Sequence, residues 1–523
     1  MNRPRTDPPL WHSSDRAGSI LLLVLVAIIV MSLATGSYLV LMHNEHVATR
    51  YSGHHQQVRL LTESALEYLR IFLAQTDALV YQQGGWANNP NKMQGILVAD
   101  DALADFRGRF TVLAPDIVQG YYSTARYGLE DESAKLNLNA LVAEGSDEQD
   151  DQARGRLMEL PGMTELIADA ILDWLDADDL PREYGAEESY YLSLDSAYEP
   201  RNGPITALDE LLLVRGVTSE LLYGLDANRN FAVDANEIAR GALTIVDNFN
   251  GQMNRGWSAY LTLYSMERME SPDGERKINL NSRNLQKLSS SLTTALGESA
   301  AKFIIAYRQY DDAEEDADGQ ISEVGSLTID FQKEAQREIE SLLDLAGARI
   351  AVQDNEESPP RIFESPWKDD PATYRQSFLD LLDKTSVQRG RRIAGRVNIN
   401  VAARPVLLTI PAMTELFADQ IISRRTVEVD PVSGFQRHAV WILADGIVSR
   451  EEMQALDPYI TTGGDVFSCQ IVGFFEAASP QARVEVLLDT SGRNTRLTAW
   501  QDLGPLGPGF LRSVLWSETS TGP

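Results

Sequence analysis

Cysteine is nearly absent: Cys469 is the single one in 523 residues. No intramolecular disulfide can form, which excludes a disulfide-stapled scaffold and any cysteine-rich zinc module. Histidine is almost as scarce, with six in all and five of them before residue 56. His438 alone remains for the body of the chain, too little for a histidine metal centre or a Ser–His–Asp triad, and it reads as a surface residue. Positive charge is also short. Against 76 Asp and Glu stand 46 Lys and Arg, a net charge of −30 that repels phosphate backbones and argues against general nucleic-acid binding. There is no glycine-rich phosphate loop and no metalloprotease helix. With no nucleophile and no acid–base pair assembled, the expectation is a protein that is not an enzyme. Hydrophobic residues at 43% and charged residues at 23% exclude wholesale disorder, and the length suffices for two or three domains.

What is present begins with a greasy rod. From Ala17 to Asn44 there is no Asp, Glu, Lys or Arg, and Ile20 to Val30 is almost wholly Leu, Ile and Val. As a helix this stretch reaches roughly 42 Å, against a bilayer hydrocarbon core of about 30 Å. It is too long for the apolar region of a cleaved secretory signal. Arg3, Arg5 and Arg16 precede it and Glu45 is the first charge after it, so the N-terminus is expected in the cytoplasm and the body outside the inner membrane, as a single-pass protein. The helical pattern continues beyond: Val58, Leu61, Ala65, Tyr68, Leu69 and Phe72 recur at three and four. A helix from Ser19 to about Gln75 is expected, apolar at one end and amphipathic at the other.

The junction Arg16-Ala17-Gly18-Ser19 before the apolar run resembles a type IV prepilin leader. The resemblance implies cleavage after Gly18, with Ser19 as the new N-terminus. Most pilin-like proteins carry Glu at the fifth mature position, here Leu23. In a packed filament that carboxylate offsets a neighbour's buried amine. A subunit with none above it needs no such group, so Leu23 points to a tip position.

Three segments share one signature: Lys135-Leu-Asn-Leu-Asn139, Lys277-Ile-Asn-Leu-Asn281 and Arg396-Val-Asn-Ile-Asn400. Two near-copies follow, Leu160-Pro-Gly-Met-Thr-Glu-Leu-Ile-Ala-Asp-Ala-Ile171 and Ile410-Pro-Ala-Met-Thr-Glu-Leu-Phe-Ala-Asp-Gln-Ile421. Each reads as helix, turn at the proline, second helix, and resembles a helix-hairpin-helix or SAM-like unit. The DNA-binding form wants a second glycine where Thr164 stands, and Ala412 replaces even the first, so a structural hairpin is favoured over a phosphate clamp.

Strand-like runs fall at 109–129 and again at 466–474, 482–489 and 496–503, bracketing a mostly helical 140–395. In order along the chain stand Asp131 to Asn139, then Ile171-Leu-Asp-Trp-Leu-Asp-Ala-Asp-Asp179, Gly185-Ala-Glu-Glu-Ser-Tyr-Tyr191 and Asn202 to Leu213. That set, with the leader and Leu23, resembles general secretion pathway protein K, the large minor pseudopilin of type II secretion. The resemblance is dense over roughly 15–265 and looser over 390–500. It implies an α+β, pilin-like fold: a long N-terminal helix on a small antiparallel sheet, with a large, mainly helical inserted domain carrying the helix-hairpin-helix repeats. The expected division is 1–18 leader, 19–75 helix with the span at about 19–42, 76–135 first part of the pilin-like domain, 136–395 insertion, 396–510 second hairpin and closing strands, and 511–523 tail.

Acidic motifs carry the expected chemistry. Asp226 to Glu237 sets oxygen side chains at loop positions 1, 3, 5, 9 and 12, the spacing of an EF-hand calcium loop. Asp226, Asn228, Asn230 and Asp234 would be ligands, with the Ala232 carbonyl and a bidentate Glu237; Phe231 stands where glycine is usual. The bland alternative is an Asx-rich turn before a capped helix. The family resemblance also implies calcium in the inserted domain. Asp311 to Glu323, with Asp316, Asp318 and Gly319, reads as a solvated acidic loop because Gly325 falls at its twelfth position. Asp173, Asp176, Asp178 and Asp179 stand at a helix end, where Arg182 or a cation would offset them, although exposed loop acids are the simpler reading. Trp174, Tyr190, Tyr191 and Tyr198 read as core.

The expectation is therefore a pseudopilus tip component supporting protein export. Its partners would be other minor pseudopilins, inner-membrane components of the secretion system and exported cargo, with no nucleic acid. Two other readings share parts of the pattern: a type IV pilus-like tip adhesin, and a membrane-tethered helix-hairpin-helix DNA-uptake protein.

Overall fold

A computed structural model describes residues 17–142, 147–232, 234, 237, 255–313, 320–353, 360–477 and 480–516. One helix runs Ala17–Leu73. Every residue from Ile20 to Gly53 along it is exposed. Its last third turns Val58, Leu61, Ala65, Leu69 and Phe72 into the head, all buried. Burying each Val, Leu or Phe is worth about 1.5–3 kcal/mol, so the head holds this end firmly, while the apolar end stays exposed among the described residues.

The helix lies on a seven-stranded sheet. Val466–Phe475 is its central strand, between Gly108–Val118 and Gln481–Asp489; Ile96–Ala99 and Arg496–Asp502 form the edges. Tyr121–Arg126 adds to Gly108–Val118, and Glu130–Asp131 pairs with the central strand, all antiparallel. The central strand is buried on both faces. Phe467, Cys469 and Ile471 cluster with the helix residues Ala65 and Leu69, while Val472 and Phe474 join the larger core of the remaining body. Gly473 is required by close approach: a Cβ there would lie 2.5 Å from the Val58 carbonyl oxygen.

The chain leaves this sheet after Asp131 and returns at Val466. Between them the three Asn-x-Asn signatures each begin a short parallel strand. Leu136–Asn137 pairs with Leu261–Thr262, Ile278–Asn279 with Thr385–Ser386, and Val397–Asn398 with Ile460–Thr461. In each, the second asparagine is spent alike. Asn139 and Asn281 exchange amide bonds with the backbone of Ile205 and Ile339 at 2.9–3.0 Å; Asn400 donates to the Gln436 carbonyl and accepts from the Trp441 indole. Buried amides satisfied this way pin each module's return segment to its start.

The first near-copy folds as helices Asp147–Met158 and Glu165–Leu175, the second as Arg404–Leu408 and Glu415–Arg424. Thr164 and Thr414 cap the second helices, their hydroxyls accepting from the amides of Ile167 and Phe417. The mostly helical 140–395 region also holds strands: Gln320–Ser322, Arg349–Val352 and Arg361–Glu364 form a small three-stranded sheet. Asn-x-Asn modules extend to Thr461 before the closing strands begin.

Candidate calcium centres in the head

Two oxygen-rich clusters lie in the inserted region. In the first, the helix Glu165–Leu175 ends beside Asp173 and Asp176, and the backbone turns back to bring Glu187 against both. One oxygen from each of the three carboxylates lies within 4.8 Å of the others. Gly185 makes the return possible, since a Cβ there would overlap the Asp173 carboxylate, and the next amide, Ala186, donates to that carboxylate at 2.8 Å. Arg182 pairs with Asp173 at 2.7 Å and also with Asp176. Glu187 is 3% exposed, and neither of its carboxylate oxygens has a hydrogen-bond partner among the described residues. Burial, and then the charges of Asp173 and Asp176, push its carboxyl up to about 8; burial lifts Asp176 to about 6. Three carboxylates against one guanidinium leave a donor set of hard oxygens with negative charge to spare, the chemistry calcium takes.

The sequence reading names Asp173, Asp176, Asp178 and Asp179 but not Glu187. Asp178 and Asp179 stand apart from the cluster: they accept from the Leu180 amide and from Asn202. The available signal for Glu187 was Gly185-Ala186 immediately before an acid, a backbone able to approach closely.

The second cluster is the 226–237 loop, and all five nominated residues meet there. Asp226 accepts from the amides of Asn230 and Phe231 at 2.9 and 3.0 Å. Glu237 accepts from the amides of Asn228 and Asp234, and Asp234 accepts from both asparagine side chains at 2.7 and 3.1 Å. Phe231 takes φ +65°, the left-handed turn that glycine ordinarily supplies, with its ring buried against Phe510 and under Arg255. The Asn228 side-chain oxygen is buried without a donor among the described residues. Against a cation, burial raises Asp226 to about 6, and the Arg255 guanidinium already faces it. The donor set fits calcium in identity and spacing; its charge is better compensated than that of the first cluster.

Of the remaining acidic loop, Asp316, Asp318 and Gly319 lie outside the described residues. Gly18 falls in the first turn of the long helix. His438 is not a surface residue: it is largely buried, 2.6 Å from Asp383, which also takes Arg437. Trp174 and Tyr191 are buried and stack edge-on as core residues.

Residues 134–226 match the family model described as type II secretion system protein K. A putative type II secretion system protein K from Escherichia coli K12 is 25% identical over 226 residues, 41% of this chain and 62% of its own length. The match thus spans about three-fifths of that curated relative. Among solved structures, a chain of the GspK-GspI-GspJ complex from the enterotoxigenic Escherichia coli type 2 secretion system aligns over 87% of this chain and 98% of its own length, at 12% identity and TM-score 0.38. The family recognised from the sequence and the family of the matched model are the same.

Proposed function

We propose that this chain is a minor pseudopilin of a type II secretion system, seated at the tip of the pseudopilus. The observation that carries the reading is the division of the long helix, apolar to Met42 and bare to Gly53, then buried against an antiparallel sheet. Such a rod sits in a bilayer before assembly and packs against sibling rods afterwards. Leu23 and the bulk inserted between Asp131 and Val466 both support the tip: the first lacks the carboxylate a covered subunit needs, and the second is too broad for the interior of a filament. The large domain lies in the periplasm and the leader in the cytoplasm. Other minor pseudopilins and inner-membrane components are its partners, and exported protein its cargo. The paired helices with Thr164 and Thr414 serve as structural helix-hairpin-helix units, since both threonines are committed to capping. Intact-mass analysis of the mature N-terminus tests the assignment. Ser19 is the expected first residue, and replacing Gly18 should block cleavage; an intact Met1 terminus in cells with active peptidase would remove it.

Calcium belongs to the same proposal. Asp173, Asp176 and Glu187 would hold one ion, and Asp226, Asn228, Asn230, Asp234 and Glu237 another. Bound calcium supplies charge neutralisation, letting buried carboxylates ionise without repulsion. Thermal melting in calcium and in chelator tests it, with a higher midpoint expected in calcium. Identical midpoints would count against both seats, and separate Asp173→Asn and Asp226→Asn variants assign the effect.

A further inference from the structure

Four of the six histidines fall between residues 43 and 55, a concentration that neither the fold nor the proposed function absorbs. At 100° per residue, His43, His46 and Arg50 lie on one helix face, within about 60° of one another. All three are exposed. Glu45, the acid of this stretch, projects from the other side of the helix.

The position of this face matters as much as its composition. Counting about 20 residues from Ile20 to cross a hydrocarbon core of about 30 Å brings the chain to the headgroup layer near Met42. His43 and His46 then fall within the layer, and the long Arg50 side chain reaches back toward it. The head begins higher up. Its first contacts on this side are the rings of Phe106 and Phe475 against His54, at 5.7 and 5.5 Å. Charged groups beside those rings are Asp105, which is exposed, and Glu476, which is committed to Arg107 and Arg109 at 3.0 and 2.7 Å. No acid of the head therefore neutralises the stripe among the described residues.

We propose that His43, His46 and Arg50 form a headgroup clasp, binding the phosphate of an anionic lipid in the outer leaflet while the rod is still in the bilayer. The inference rests on the membrane-anchored reading of this helix. Charge complementarity selects the occupant: the chain carries −30 overall, and here the Arg50 guanidinium stands by the outer headgroup level of the rod, where phosphates lie. The imidazole ring N–H groups of His43 and His46 donate to phosphate oxygens, and the Arg50 guanidinium supplies the positive charge.

The test uses the full-length chain in vesicles of equal phosphatidylcholine and phosphatidylglycerol, washed with alkaline carbonate, released and weighed intact with retained lipid. At about pH 7, retained phosphatidylglycerol should exceed phosphatidylcholine by about fivefold. The variant carrying His43→Gln, His46→Gln and Arg50→Gln should insert equally and show no preference. Equal retention of both lipids by the wild type, or an unchanged preference in the variant, would each overturn the clasp. A chain recovered in the carbonate wash would instead overturn the membrane-spanning reading, and the clasp with it.

Discussion

Glu187 is an acid kept apart from every donor among the described residues. Its carboxyl stands near 8 in the folded protein and would titrate near 4.3 in an unfolded chain. The folded state thus holds an extra proton between those values, and stability falls as pH rises through that window. Glu187→Gln should remove the slope. In chelator its midpoint should exceed the wild type's by roughly 2–4 °C at about pH 7.5 and match it at about pH 4.5, read by calorimetry. The same variant should gain less from calcium. A lower midpoint at both pH values would mean that a partner stabilises the carboxylate. Phe231 presents the opposite balance. A left-handed backbone at a bulky residue costs about 1–2 kcal/mol, whereas its ring is 3% exposed and removing such a ring costs about 3–5. Ring burial wins, so Phe231→Gly should destabilise by about 2 kcal/mol in urea unfolding despite the easier turn. Sequence spacing located this loop and flagged Phe231 as its defect. Only packing against Phe510 and Arg255 explains how the turn forms regardless.

The paired helices show the same contest between backbone preference and packing at the scale of an element. Gly162 turns at φ +72°, and Ala412, its counterpart, turns at φ +63°. Losing the glycine did not lose the turn, because the flanking residues Leu407, Ile410, Ala418 and Ile421 are buried in the shared core. Ala412→Gly should therefore stabilise the chain by up to about 1 kcal/mol, and Gly162→Ala should cost a similar amount, both measurable by denaturant titration. Strands were legible at this scale because runs of β-branched and aromatic residues are local: 466–474 and 482–489 lie on strands of the main sheet, and 109–129 and 496–503 cover three more of them in large part. The small sheet of 320–364 was not, since its strands of three and four residues carry too little pattern to announce themselves.

The inserted body is fastened to the sheet by a charged knot at the scale of the whole molecule. Lys135 lies between Glu130 at 2.9 Å and Glu132 at 2.8 Å, all three buried where the chain leaves the sheet. Glu132 also accepts from Ser468 on the central strand and from Thr262 in the first module. Lys135→Met strands two carboxylates and should cost about 3–5 kcal/mol, lowering the calorimetric midpoint of the whole head rather than loosening one module. Glu428 adds a second tie, accepting from the amide of Ala87 at 2.7 Å and bridging the third module to the segment that follows the long helix.

The sequence by itself determined the rod, its bare and buried halves, the strands and the oxygen spacing of the 226–237 loop. Each of these is a pattern of hydrophobicity or donors within one or two dozen residues, written by a single element's periodicity. The tertiary structure alone decided that Glu187 joins Asp173 and Asp176, that His438 pairs with Asp383, and that three asparagines find equivalent partners at Ile205, Ile339 and Gln436. Those pairings rest on chain reversals in three dimensions, where backbone approach and desolvation, rather than spacing, choose which polar groups meet.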